Sequence, residues 1–201
     1  VYVTEHCPDI VSRQVVLNCL DMEKKLQTSE GSAGHNTNSR AIVAIKLTTR
    51  NEAGDPIELS HAIGDRGQFE DVFDSPERIH TAINELYEQL MDKKTAVKPV
   101  SGYHEVILAS DLAGILAHEA IGHTTEADIV REGSIAGDHL GEKVASELIT
   151  LIDFANTYNG EVLPMPIYMD DEGVESKDAL LIENGVLKSF MHNKDSAQHF
   201  D

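Results

Sequence analysis

The sequence has no tryptophan, and aromatic residues make up only 5% of its 201 positions. Its core must therefore rest on Leu, Ile, Val and Ala, for which a hydrophobic content of 41% suffices. Cysteine is as scarce. Cys7 and Cys19 are too few for a disulfide framework and lack the C-x-x-C spacing of a metal pair, which points to reduced structural thiols. Basic side chains are outnumbered 35 to 16, for a formal net charge of −19. So acidic a chain repels phosphate backbones, and no basic stripe or aromatic stacking platform offsets this; nucleic acid is excluded as a partner. The longest apolar stretch, "VILASDLAGILAHEAIG", is interrupted by Asp111 and is too polar to span a bilayer. Val1 to Pro8 include Glu5 and lack the apolar core of a signal peptide. These absences describe a soluble protein with no membrane segment. The start at Val1 and the stop at "AQHFD" read as the edges of a piece of something longer.

What is present alternates between two periods. "RAIVAIKLTTR" (40–50) is rich in β-branched residues, and "PIELSHAIG" (56–64) follows the turn-forming "NEAGD", which predicts a hairpin. The preceding "EGSAGHNTNS" (30–39) reads as a polar loop. Ser75 before Pro76 is a helix start, and Ile79, Ala82, Ile83, Leu86 and Leu90 then recur at spacings of three and four. "TAVKPVSGYH" (95–104) is a connector, and places a domain boundary between residues 1–98 and 99–201. Beyond it "EVILA" (105–109) predicts a short buried strand, followed by a helix that packs Leu112, Ile115 and Leu116 inward. "VASELITLIDF" (144–154) fits helix or strand. "ALLIENGVLKSFM" (179–191) is a hairpin about Asn184-Gly185. Mixed elements without β-α-β alternation give an α+β fold, with antiparallel sheets and packed helices.

The predicted second helix carries "AHEAIGHTTEAD" (117–128), with His118, Glu119 and His123 within six residues. Two imidazoles can ligate zinc, and a neighbouring carboxylate can take a proton from metal-activated water. The spacing resists this reading. In an undistorted α-helix residues five apart diverge by about 140°, and Glu119 and His123, four apart, would form an ordinary acid–imidazole pair instead. A π-type turn, or a helix end at Ile121–Gly122, would bring both imidazoles to one point, with Gly122 expected in a conformation that a Cβ tolerates poorly. Both readings stay open on spacing alone, as does a non-haem iron site of two histidines and a carboxylate. Glu126, Asp128, His139 and His192 are further candidate ligands, while His6, His35, His61, His80 and His104 stand isolated.

Four blocks in order, "ILAHEAIGHTTEAD", "GEKVASELITLID", "DDEG" (170–173) and "LIENGVLKSFM" (181–191), resemble the TldD/PmbA family. The resemblance is specific over about residues 105–195 and looser upstream. It implies a cytoplasmic, zinc-dependent peptidase, with residues 1–98 ending the family's N-terminal domain and 99–201 opening its motif-bearing C-terminal domain. The site is expected to be buried, and a buried site cannot easily admit a folded chain, so small or unfolded peptides are the expected substrates. The resemblance implies His118 and His123 as zinc ligands and Glu119 as general base. It further implies a third ligand, a cysteine far downstream, and this sequence has no cysteine after Cys19. A homodimer, or a heterodimer with a family paralogue, is implied as well. The alternative is a non-catalytic scaffold or partner subunit of a peptidase complex.

Overall fold

Alternation builds the first half of the molecule. The computed structural model describes residues 1–200. Within them Ala41, Val43, Ile45 and Leu47 alternate along one strand and are all buried. That strand, β2 (Ala33–Arg50), lies between β1 (Ser12–Gln27) and β3 (Pro56–Arg66) in a three-stranded sheet, preceded by the short helix α1 (Tyr2–His6). β2 and β3 pair antiparallel from Arg40↔Arg66 to Arg50↔Pro56, the predicted hairpin. β2 starts earlier than expected: the polar stretch from Ala33 is strand, not loop, because a ladder partner overrides its weak propensity. Two helices follow, α2 (Phe69–Val72) and α3 (Glu77–Lys94). The period-3.6 stripe of α3 buries Ala82, Ile83, Leu86 and Leu90 in one core with the inward side chains of β2. The Ser75 hydroxyl binds the Glu77 side chain, and that hydrogen bond, the main cause, lowers the Glu77 carboxyl pKa.

Packing divides the chain into two units, Val1–Lys24 with His35–Gly102, and Lys25–Gly34 with the residues from Tyr103 onward. The second unit is made of shorter pieces. Helix α4 (Ser110–Ala117) runs into a π-helical turn, His118–Gly122, and a 3-10 turn, His123–Thr125. Helix α5 (Ala127–Arg131) and a 3-10 segment, Ile135–His139, come next. β4 (Leu151–Asp153) pairs with β7 (Ala179–Glu183), which pairs with β8 (Val186–Leu187); β5 (Thr157–Tyr158) and β6 (Glu161–Val162) form a separate ribbon. Helix α6 (Lys194–Phe200) ends the described residues. Ala127, Val130, Ala136, Ile182, Leu187 and Phe190 form the core of this unit. The fold is α+β, with antiparallel sheets.

The β7–β8 turn is the predicted one, with φ of 49° at Asn184 and 83° at Gly185. Gly185 is required twice over. Its φ is left-handed, and a Cβ there would lie 2.5 Å from the Ala145 carbonyl oxygen. That close approach explains the ambiguous stretch at 144–154. Val144 and Ala145 donate to the Gly185 carbonyl while Gly185 donates to Ile149, so the segment is latched across the turn as a loop and becomes strand only at β4.

Two expectations about the motif's surroundings are overturned. Residues 105–109 form no strand and their side chains are exposed, because an apolar run becomes a strand only beside a ladder partner and none pairs with it among the described residues. Leu112, Ile115 and Leu116 of α4 do not pack inward; Ile115 keeps 57% of its surface. No element among the described residues covers that face.

Candidate metal centre

The motif resolves its spacing problem by changing helix type. The His123 backbone N–H donates to the His118 carbonyl, five residues back, which is the hydrogen bond of a π turn. Such a turn brings residues five apart onto one face. The His118 and His123 rings accordingly meet edge to face, with centroids 4.6 Å apart.

A π turn disturbs the regular carbonyl ladder, and two threonines just beyond it supply the missing donors. The Thr124 hydroxyl donates toward the carbonyls of Ala120 (3.0 Å) and Ile121 (3.1 Å). The Thr125 hydroxyl donates toward Ile121 (2.8 Å) and Gly122 (3.1 Å). Each hydroxyl has one proton and shares it between two acceptors. Ser134 adds a hydrogen bond to the Thr124 carbonyl at 2.7 Å. Thr125 is 1% exposed, so its hydroxyl can be satisfied only in this arrangement.

Gly122 does not behave as expected. Its φ and ψ are −51° and −63°, ordinary right-handed helix. A Cβ there would make only normal contacts, 3.7 Å from the Ala117 carbonyl oxygen and 3.9 Å from His118 Nδ1. The π turn widens the helix without any left-handed residue, so glycine is not demanded by conformation.

His118, Glu119 and His123 each offer one ligand atom, all within 4.8 Å of one another, and among the described residues they form the only such cluster of three metal-ligating side chains. All three are exposed; the side chains of His123 and Glu119 retain 55% and 65% of their surface. The expectation of a buried site is therefore corrected, as the uncovered face of α4 would suggest. His123 Nε2 lies 4.0 Å from Glu119 Oε2, while its Nδ1 is hydrogen-bonded to Glu126 Oε1 at 2.7 Å. Two imidazoles and a carboxylate form a donor set that a divalent zinc ion accepts, so the residues present fit the metal. Beside them opens a cavity of about 600 Å³, bordered by His118, Gly122, Glu126, the three residues of β4, and Met191.

The other candidate ligands fall elsewhere. His139 pairs with Glu142 at 2.8 Å, His192 contacts the Ser196 hydroxyl at 3.3 Å, and Asp128 accepts from the Ile129 backbone N–H. Cys7 is buried, which raises its thiol pKa, and Cys19 is exposed; neither belongs to the cluster. Spacing alone misses Glu126 as a partner of His123, although an i, i+3 acid–imidazole pair is visible in "HTTE".

The profile of the PmbA/TldA metallopeptidase C-terminal domain matches residues 101–201. A metalloprotease of Methanocaldococcus jannaschii is 46% identical over 101 residues, covering 50% of this chain and 22% of that protein. A zinc metalloprotease TldD homolog of Saccharolobus solfataricus is 32% identical over 149 residues, 74% of this chain and 32% of that protein. Among solved structures, a candidate modulator of DNA gyrase from Bacteroides thetaiotaomicron superposes with a TM-score of 0.81 at 17% identity, over 99% of this chain and 44% of the other, a likeness of fold. The chain spans under half the length of these relatives.

Proposed function

The chain belongs to the TldD/PmbA family, and on that premise we propose that it carries the metal-binding half of a zinc peptidase active site. His118 and His123 hold the ion, Glu119 is the general base, and the third protein ligand is the downstream cysteine that the family resemblance implies. One observation carries the reading: a π turn aligns His118 and His123 with Glu119 into a cluster spanning at most 4.8 Å, at the border of a cavity. Zinc bound there would polarise a scissile carbonyl and bring a bound water's pKa toward neutrality. Glu119, as general base, would take the proton of the attacking water and pass it to the leaving amine. Its exposed carboxylate sits next to His123 Nε2, on the side away from Glu126.

A peptide suits this site. Leu151, Ile152 and Asp153 border the same cavity, and among the described residues their strand has a single neighbour, β7. An edge strand offers unpaired N–H and C=O groups to an extended chain. A cavity of about 600 Å³ accommodates a few residues, which favours small or unfolded peptides. We read residues 1–98 as the end of one family domain and 99–201 as the start of the motif-bearing one, supported by a profile match that begins at residue 101. A cytoplasmic location and a dimer, with itself or a paralogue, follow the same resemblance. The two cysteines form no disulfide, and no helix among the described residues is long and apolar enough to cross a membrane.

The test is Glu119→Gln in the full natural chain, with metal content and cleavage of an unstructured peptide measured together. We expect normal zinc and a loss of about 10²–10⁴ in rate. Undiminished cleavage in that variant contradicts the mechanism.

A further inference from the structure

We propose that Glu126 is the positioning residue of this site: its carboxylate fixes the tautomer and orientation of His123, so that Nε2 is the nitrogen presented to the metal. This rests on the metal-site reading above. Glu126 Oε1 accepts a hydrogen bond from His123 at 2.7 Å, through Nδ1. A carboxylate accepts and does not donate, so a neutral His123 ring must carry its proton on Nδ1. Nε2 is then left with its lone pair, and it is Nε2 that faces Glu119. A histidine ligand whose second nitrogen donates to a carboxylate is held in one tautomer and becomes a better base toward the metal.

Glu126 is also held in place, unlike an ordinary surface glutamate. Its backbone is extended, with φ −64° and ψ 123°, and forms a parallel bridge with Met191. Ala127 donates to the Met191 carbonyl at 3.0 Å, and Met191 donates to the Thr125 carbonyl at 2.8 Å. The residues on either side, Thr125 and Ala127, are buried. The Glu126 side chain is thus launched from a fixed point between a π-turn cap and a core helix. The same chain supplies a control. His139 and Glu142 make the same i, i+3 pair through Nδ1 at 2.8 Å, but His139 is outside the cluster of candidate ligands.

The experiment uses the full natural chain with ¹⁵N-labelled histidine, stripped of metal, near pH 8, where an ordinary imidazole is neutral. Long-range ¹H–¹⁵N spectra should show His123 with its proton on Nδ1. Glu126→Ala should move it toward the Nε2–H form, and Glu126→Gln, whose amide oxygen still accepts, should keep it on Nδ1. In a zinc competition titration with a chromophoric chelator, Glu126→Ala should weaken binding by about 10–100-fold and Glu126→Gln by much less. An unchanged His123 tautomer in Glu126→Ala overturns the proposal. So does an equal loss of zinc affinity in Ala and Gln, which would make Glu126 a direct ligand. If the parent binds no zinc the metal reading fails by itself, and the tautomer spectra still decide what Glu126 does to His123.

Discussion

Helix α3 keeps its register for 18 residues and buries its apolar stripe, whereas α4 keeps its own for eight and leaves Leu112, Ile115 and Leu116 exposed. The difference separates two uses of a helix. Inserting a π turn rotates everything beyond it by about 100°, which would throw half of the α3 stripe out of its core. In α4 the insertion comes after Leu116, the last residue of its stripe, so no packed face is broken. In the turn and just past it lie the candidate metal cluster of two histidines and a glutamate, and two threonines whose hydroxyls satisfy the displaced carbonyls. A helix that secures little core is free to be distorted.

Substitutions can break that comparison at graded cost. Leu90→Ala, at a fully buried position of α3, should destabilise by about 2–5 kcal/mol in chemical denaturation, since it removes packed methyl groups and leaves a cavity. Thr125→Val should come next, at about 1–3 kcal/mol, because the Ile121 and Gly122 carbonyls lose a buried donor. It should also lower zinc affinity, which Leu90→Ala should leave unchanged while the protein is folded. Ile115→Ala, on the exposed face of α4, should fall within about 0.5 kcal/mol of the parent. A large loss at Ile115 would mean that α4 secures core as α3 does.

The parts of the fold that were legible in the sequence are those where period and turn chemistry agree. Ala41 to Leu47 alternate, the α3 stripe recurs at three and four, and Asn184-Gly185 marks a two-residue turn; each formed as written. The need for a helix distortion at the motif also followed from geometry, since five residues cannot align two side chains on a regular α-helix. The role given to Gly122 did not follow, because a π turn is built from right-handed residues and makes no demand for positive φ. Residues 105–109 failed for another reason. An apolar run declares a preference for burial but cannot declare that a partner lies alongside. β1 is hard to read from the sequence because Val15, Val16 and Leu17 run together and blur the period of two, and its apolar side chains are largely exposed. Glu126 was visible as a possible ligand, but which nitrogen of His123 it takes is a matter of three dimensions.

If the π turn makes His118 and His123 one metal site, both histidines are needed to hold the same ion. The direct measurement is zinc per chain in the full natural protein, equilibrated with zinc and then passed into metal-free buffer, beside His118→Ala and His123→Ala. About one equivalent is expected in the parent, as for a single catalytic ion. Either variant should lose most of that zinc, with the thermal unfolding of the metal-free proteins unchanged. Zinc retained at the parental level in both variants would contradict a shared site.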